Sequence, residues 1–163
     1  MNKNIKSAYF GAGCFWGVEY YFQQIQGVKK VVSGYMGGTQ ENPSYQDVIY
    51  RNSGHFEVVK VEYSADEVSY ENLVKFFFEI HDFSQIDGQG PDLGYQYLSV
   101  IFTQNQDAKN IVNNVISLLE NMNMKVATKI IDGHIFYPAE DYHQNYYQKS
   151  GKTPYCHSHR KIF

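Results

Sequence analysis

Cysteine is scarce in this chain: Cys14 and Cys156 are the only two in 163 residues. That scarcity excludes a disulfide scaffold and a four-cysteine zinc site. No charge of one sign dominates, with 14 Lys and Arg against 17 Asp and Glu for a net charge of −3. A basic surface for nucleic acid is therefore not expected. No apolar run of signal-peptide or membrane-span length follows the basic start Met1-Asn2-Lys3-Asn4-Ile5-Lys6, so the expectation is a soluble, cytoplasmic protein without membrane attachment. Linkers, repeats, a P-loop, a dinucleotide-binding fingerprint and a His-Glu-x-x-His motif are missing too. Aromatic residues are what the chain has in quantity, with 15 Tyr and 11 Phe beside a single Trp, and 43% of it is hydrophobic. This is a globular composition. A chain of this length buries roughly 70% of its unfolded surface and needs no covalent staple. One domain over residues 1–163 is expected, acting as a monomer.

Hydrophobic periodicity divides the chain into alternating elements. Ser7–Ala12 reads as a strand ending in Gly11-Ala12-Gly13, and a helix follows from Cys14, with Val18, Tyr21, Phe22 and Ile25 on one face. Gly27 ends that helix and Val28–Tyr35 forms a second strand. Residues 39–54 are polar and aperiodic, and loops of that length inside a domain are usually functional. Phe56–Tyr63 alternates, so Glu57, Val59, Val61 and Tyr63 share one face while Lys60 and Glu62 take the other. After Ser69, the residues Leu73, Phe76, Phe77 and Ile80 mark a helix, and residues 81–94 form a second irregular loop. Tyr95–Phe102 is strand-like, and Thr103-x-x-Gln106 resembles a capping box opening a helix that carries Ala108, Ile111, Val112, Val115, Leu119 and Met122. Val126–Ile131 and Gly133–Tyr137 flank an Asp132-Gly133 turn signal, a short helix is expected around 140–148, and a polar tail closes the chain. The order β-α-β-β-α-β predicts an α+β (two-layer α/β) sandwich with a ferredoxin-like core, additional C-terminal elements and an irregular tail.

Cys14 falls where a glycine-rich strand end becomes a helix. Backbone N–H groups and the positive end of the helix dipole converge there and favour a thiolate. The position suits an activated nucleophile; it also suits a small buried hydrophobe, which is what most unpaired cysteines are. Glu57 shares an apolar strand face. A carboxyl taken out of water keeps its proton near neutrality and can act as an acid, whereas one at a strand end that reaches water is an ordinary surface charge. Tyr35, Tyr45, Tyr50, Tyr95 and Tyr97 lie in or beside the irregular loops, where phenol hydroxyls can hold a polar oxygen in an apolar pocket or simply pack. Phe15 and Trp16 would supply apolar wall, and Asp92 is either a turn former or a loop carboxylate facing a cleft. Cys156-His157-Ser158-His159 has part of a metal-ligand pattern, but its spacing is too tight for the usual zinc motifs, and a solvated tail with a mobile Cys156 is the simpler reading.

Gly13-Cys14-Phe15-Trp16-Gly17 resembles the signature of the peptide methionine sulfoxide reductase A family. The resemblance continues through Gly34-Tyr35-Met36-Gly37-Gly38, Asn42-Pro43-Ser44-Tyr45, Gly54-His55-Phe56-Glu57-Val58, Gly90-Pro91-Asp92-Leu93-Gly94-Tyr95-Gln96-Tyr97 and the segment from Phe136 to Gln144. These matches occur in family order and span nearly the whole chain. The resemblance implies a thiol-dependent reduction of the S epimer of methionine sulfoxide, free or in proteins, that repairs oxidative damage. It implies Cys14 as the nucleophile, Glu57 as the acid that protonates the sulfoxide oxygen, and Tyr45 and Tyr97 as hydroxyls that hold it. Phe15 and Trp16 match the walls around the substrate methyl, and Asp92 a positioning carboxylate. Cys156 matches the resolving cysteine that converts a Cys14 sulfenic acid to a disulfide, which thioredoxin (or dithiothreitol in vitro) reduces. No bound cofactor and no metal are implied.

The chain also departs from that pattern. Pro91 stands where asparagine is common, Leu98 where arginine is common, and neither His157 nor His159 matches a family role. The chain ends at Phe163 without the glycine-rich tail and further cysteine of many members, so a single resolving thiol is expected to meet thioredoxin directly. Two other readings of the same residues are a cysteine hydrolase or acyltransferase using Cys14 with His55 or His143 and Asp92, and a metal-binding module built on the Cys-His tail.

Overall fold

Alternating apolar residues force two faces on each strand; here helices cover one face and a smaller apolar cluster covers part of the other. The computed structural model describes every residue except 1–3, 51–52 and 156. Strand β1 (Ile5–Ala12), helix α1 (Phe15–Phe22), strand β2 (Val28–Met36), helix α2 (Tyr45–Tyr50), strand β3 (Phe56–Ser64) and helix α3 (Tyr70–Glu79) come first. The two-residue strands β4 (Gly88–Gln89) and β5 (Asp92–Leu93) follow, then β6 (Ser99–Thr103), α4 (Gln106–Asn121), β7 (Lys129–Asp132), β8 (Phe136–Pro138) and α5 (Tyr146–Ser150). The main sheet has the order β7-β6-β1-β3-β2-β8. Among its four inner strands each neighbouring pair is antiparallel. With β6 as the fourth strand of the core, their order is the 4-1-3-2 of a ferredoxin-like sandwich, and β7 and β8 extend it at the two edges.

On β3 the residues Val59, Val61 and Tyr63 join the helix-side core, while Phe56 and Val58 pack on the opposite face with Met36, Val100 and Phe102. Glu57 has the parity of the helix-side set and so lies under the helix layer at one end of the strand. That layer is α1, α3 and α4, which contribute Phe22, Phe77 and Val115 among others. Phe10 of β1 stacks on Phe22 at 4.9 Å and on Phe77 at 5.3 Å between ring centroids. Each such ring taken out of water contributes about 1.5–3 kcal/mol, and this cluster ties sheet to helices. Ser69 caps α3 by accepting the Asn72 N–H at 3.0 Å.

Several local expectations are corrected. The polar segment 39–54 contains α2; its only buried residue is Val48, too little for a periodic signal in six residues. Strand β6 begins at Ser99, because Tyr95–Tyr97 forms a 3₁₀ turn entered from Gly94 at φ 137. Asn105 caps α4, accepting the Ala108 N–H at 2.8 Å; Thr103 is still in the strand. The Asp132-Gly133 signal does not make a hairpin: β7 runs parallel to β6 after the α4 crossover, and β8 pairs with β2 at the far edge. The helix expected at 140–148 is a 3₁₀ turn at 141–143 followed by α5, separated by Asn145 at φ 55. The tail is not simply solvated. His157 is 4% exposed, and Ile162 and Phe163 pack against the core.

Candidate active site

The turn from β1 into α1 is where the chemistry concentrates. Gly13 stands at φ 89, and a Cβ there would run into the Gln89 side chain, so both backbone and space require glycine. Cys14 is the N-cap residue of α1 and is buried, which puts its sulfur at the positive end of an eight-residue helix. The first N–H of that helix, from Phe15, donates to Glu57 Oε1 at 3.2 Å. Glu57 thus reaches from the end of β3 to the turn that holds Cys14.

Burial pushes the Glu57 carboxyl up to about 8; the Phe15 bond opposes this and the negative charge of Asp92 adds to it. Among the described residues Glu57 Oε2 has no hydrogen-bond partner. A buried carboxyl that keeps its proton near neutrality can donate it to an acceptor brought within reach. Tyr45, from α2, and Tyr97, from the 3₁₀ turn before β6, lie close enough for each phenol to shift the pKa of the other. Burial raises the Tyr45 phenol to about 12, with Glu57 and Cys14 adding to the effect. Tyr97 is pushed well above the usual tyrosine range, chiefly by burial and then by Glu57, Tyr45, Asp92 and Cys14. Both hydroxyls therefore stay protonated and can donate. Asp92, on β5, accepts the Tyr155 hydroxyl at 3.1 and 3.3 Å from its two oxygens.

Phe15 is buried and packs on the rings of Tyr35 and His143 at 5.7 and 5.1 Å. Trp16 lies flat on Tyr146, with 3.7 Å between centroids and 6° between planes. Its Nε1–H donates to His143 Nδ1 at 3.0 Å. The structure thus draws Cys14, Glu57, Tyr45, Tyr97 and Asp92 into one electrostatic neighbourhood, with Phe15 and Trp16 following Cys14 in the first turn of α1. Cys156 lies outside the described residues.

Sequence reasoning missed Glu140, and it named His143 only as a possible partner of Cys14, not as the ring that packs these aromatics together. Glu140 accepts the Tyr35 hydroxyl at 3.0 Å and the Tyr45 backbone N–H at 3.1 Å, which fixes the start of α2. Burial opposes its charge, yet these bonds and His143 keep its carboxyl below the usual range. His143 is buried between Tyr45, Phe15 and Trp16, and burial holds its pKa down. Both residues lie in the Phe136–Gln144 segment, whose motif was visible although their contacts were not.

Four of the other histidines, His55, His81, His157 and His159, are engaged in structure. His55 accepts the Gly38 N–H at Nδ1, 3.1 Å, and bonds Gln40 O through Nε2, 2.8 Å. His81 bridges Phe77 O and Ser99 Oγ, and burial pushes it down to about 3. His157 bonds Ala12 O, and His159 bonds Glu79 Oε1 at 2.9 Å. The tail histidines thus reach different partners. Among the described residues no three His, Cys, Asp or Glu side chains group as metal ligands, and no helix is long and apolar enough to cross a membrane.

A family model described as peptide methionine sulfoxide reductase matches residues 6–163. The chain is 43% identical over 152 residues to the peptide methionine sulfoxide reductase MsrA of Pasteurella multocida (strain Pm70), covering 93% of this chain and 87% of that protein. Reduced Mxr1 from Saccharomyces cerevisiae shares the fold with a TM-score of 0.89 at 30% identity, over 97% of this chain and 93% of the yeast chain. Mxr1 in complex with Trx2 is also similar in fold, with a TM-score of 0.64 at 23% identity over 97% of this chain and 91% of that one.

Proposed function

This chain belongs to the peptide methionine sulfoxide reductase family, and on that premise we propose how its own residues reduce the S epimer of methionine sulfoxide, free or in proteins. It is an oxidoreductase that reduces methionine sulfoxide with a thiol. The observation that carries the residue assignment is Glu57: a buried carboxyl pushed up to about 8 and bonded to the N–H that follows Cys14.

In the proposed reaction the Cys14 sulfur attacks the sulfoxide sulfur while Glu57 delivers a proton to the sulfoxide oxygen. Tyr45 and Tyr97 donate to that oxygen as negative charge gathers on it. Phe15 and Trp16 border the substrate methyl, and Asp92 positions the substrate and the tyrosine pair. The sulfur–oxygen bond of the substrate breaks, and oxygen ends on Cys14 as a sulfenic acid. Two electrons move from the cysteine sulfur to the sulfoxide, releasing methionine. The Cys156 thiol then condenses with the sulfenic acid, forming a Cys14–Cys156 disulfide and water. A dithiol such as reduced thioredoxin exchanges with that disulfide and restores both thiols. The complex of yeast Mxr1 with Trx2 supports that choice of reductant. We place this single-domain, monomeric, cofactor-free enzyme in the cytoplasm, where thiols are kept reduced, as a repair enzyme for oxidised proteins.

The test is a methyl sulfoxide resolved into its epimers, with dithiothreitol as reductant. Sulfide is expected from the S epimer alone and none from Cys14→Ser. Undiminished turnover in Cys14→Ser overturns the nucleophile assignment. Cys156→Ser is expected to release one equivalent of sulfide and then stall with thioredoxin; full thioredoxin-supported turnover overturns the resolving assignment.

A further inference from the structure

Glu19 is a buried carboxyl that the reaction above does not use. It lies on α1 three residues beyond Trp16 and is 1% exposed. Its Oε2 accepts the backbone N–H of Asn145 at 3.0 Å, and the N–H of Tyr146 lies near enough to the carboxyl to lower its pKa. These N–H groups open α5, whose N-cap residue Asn145 stands at φ 55 and makes no capping bond with its own side chain. The cap of α5 therefore comes from another helix.

A five-residue helix has no stability of its own and depends on what anchors it. The other polar anchors of α5 are solvent-facing: Gln23 to Asn145 at 2.7 Å, Gln148 to Gln23 at 3.3 Å, and Lys149 to Asp141 O at 3.0 Å. Glu19 is the buried one. α5 buries Tyr147, which meets Tyr20 edge-on at 5.9 Å, while the half-buried Tyr146 beside it stacks on Trp16. One link thus runs from Glu19 through the start of α5 to the outer face of the Trp16 indole.

We propose that Glu19 is a positioning residue for substrate recognition: by capping α5 it holds Tyr146 against Trp16 and fixes the indole that borders the substrate methyl. The inference rests on the reading of Trp16 as a wall of that pocket. Burial pushes the Glu19 carboxyl up to about 7 against the N–H groups of Asn145 and Tyr146 and the charge of Lys149, so a neutral acceptor of the same shape can serve in its place.

Trp16 is the only tryptophan in the chain, so tryptophan emission reports the stack directly. Glu19→Leu removes the acceptor and Glu19→Asp withdraws it by one methylene. Both are expected to raise KM for the S methyl sulfoxide by about five- to tenfold, with kcat held within about twofold, and to shift the emission to longer wavelength. Glu19→Gln keeps an oxygen facing both N–H groups and should restore KM and emission. Tyr146→Ala should reproduce the Leu phenotype, and the double variant Glu19→Leu/Tyr146→Ala should be no worse than either alone, because both act through one contact. Unchanged KM and emission in Glu19→Leu and Glu19→Asp overturn the proposal, as do additive effects in the double variant. If Glu19→Leu does not fold, Glu19→Asp and its double variant with Tyr146→Ala carry the same test. Trp16→Ala separates the two layers of argument: if it leaves KM unchanged, the pocket assignment fails rather than the Glu19 link.

Discussion

The backbone N–H of Phe15 donates to Glu57 Oε1 at 3.2 Å, so the acid is fastened to the residue next to Cys14. A bond from an N–H favours the carboxylate, yet burial prevails and the carboxyl is pushed up to about 8. This bond therefore orients the acid without discharging it, and the proton remains available near neutrality.

Glu57→Gln should keep the bond to Phe15 and lose the proton. The single-turnover rate of sulfoxide reduction is expected to fall by about 10²–10⁴-fold. In the wild-type protein that rate should decline as pH rises through about 8, where Glu57 ionises. The decline should be missing in the residual activity of Glu57→Gln. Rapid-quench measurements across that pH range provide the check.

The same group makes stability depend on pH. The folded state holds the Glu57 proton up to about 8, whereas the ordinary value is 4.5. Between those limits the folded state binds more protons than the unfolded one, so wild-type stability falls as pH rises. Relative to Glu57→Gln, the wild-type protein should lose about 1.4 kcal/mol per pH unit within that window and nothing below it. Glu19, raised to about 7 by burial, titrates in both proteins and cancels from the difference. Urea titrations of the two proteins at several pH values measure this slope.

Tyr45 and Tyr97 shift each other's pKa and share the field of Glu57. Each Tyr→Phe substitution should lower the single-turnover rate by about 10²-fold, the usual cost of removing one donor from a developing oxyanion. The double variant should lose less than the product of the two, because neighbouring hydroxyls that face one oxygen are coupled. A multiplicative loss would show that the two act separately.

What was readable in the sequence follows from range. Alternation along β3 assigned Glu57 to the apolar face of Val59, Val61 and Tyr63, a fact local to one strand. The glycine-flanked start of α1 was equally local. Glu140 was not readable, because its partners Tyr35 and Tyr45 lie 105 and 95 positions away. The expected 132–133 hairpin failed for a related reason: turn chemistry is local, but the edges that β7 and β8 join are set by α4 and by β2. His157 looked like a tail residue until the structure seated its ring against Gly17 and on Ala12 O.

The tail supplies the last prediction. The Glu79 carboxylate accepts the N–H groups of Ile162 and Phe163 at 2.8 and 3.1 Å and bonds His159 at 2.9 Å, while Glu79 O accepts the Arg160 N–H at 2.8 Å. Burial works against the charge on Glu79, but the bonds from Ile162, His159 and Phe163 keep its carboxyl below the usual range. One side chain thus gathers the last residues of the chain, including Phe163, whose ring lies 5.5 Å from Lys75 Nζ. Glu79→Ala leaves two backbone N–H groups to find water and should lower stability by about 1–3 kcal/mol. It should also free Arg160 and Lys161, both exposed but held on an anchored segment, so that trypsin cuts after them at least several-fold faster than in the wild-type protein. Trypsin digestion followed by mass analysis reads this directly. Equal cleavage rates would mean that the hydrophobic contacts of Ile162 and Phe163 hold the tail without Glu79.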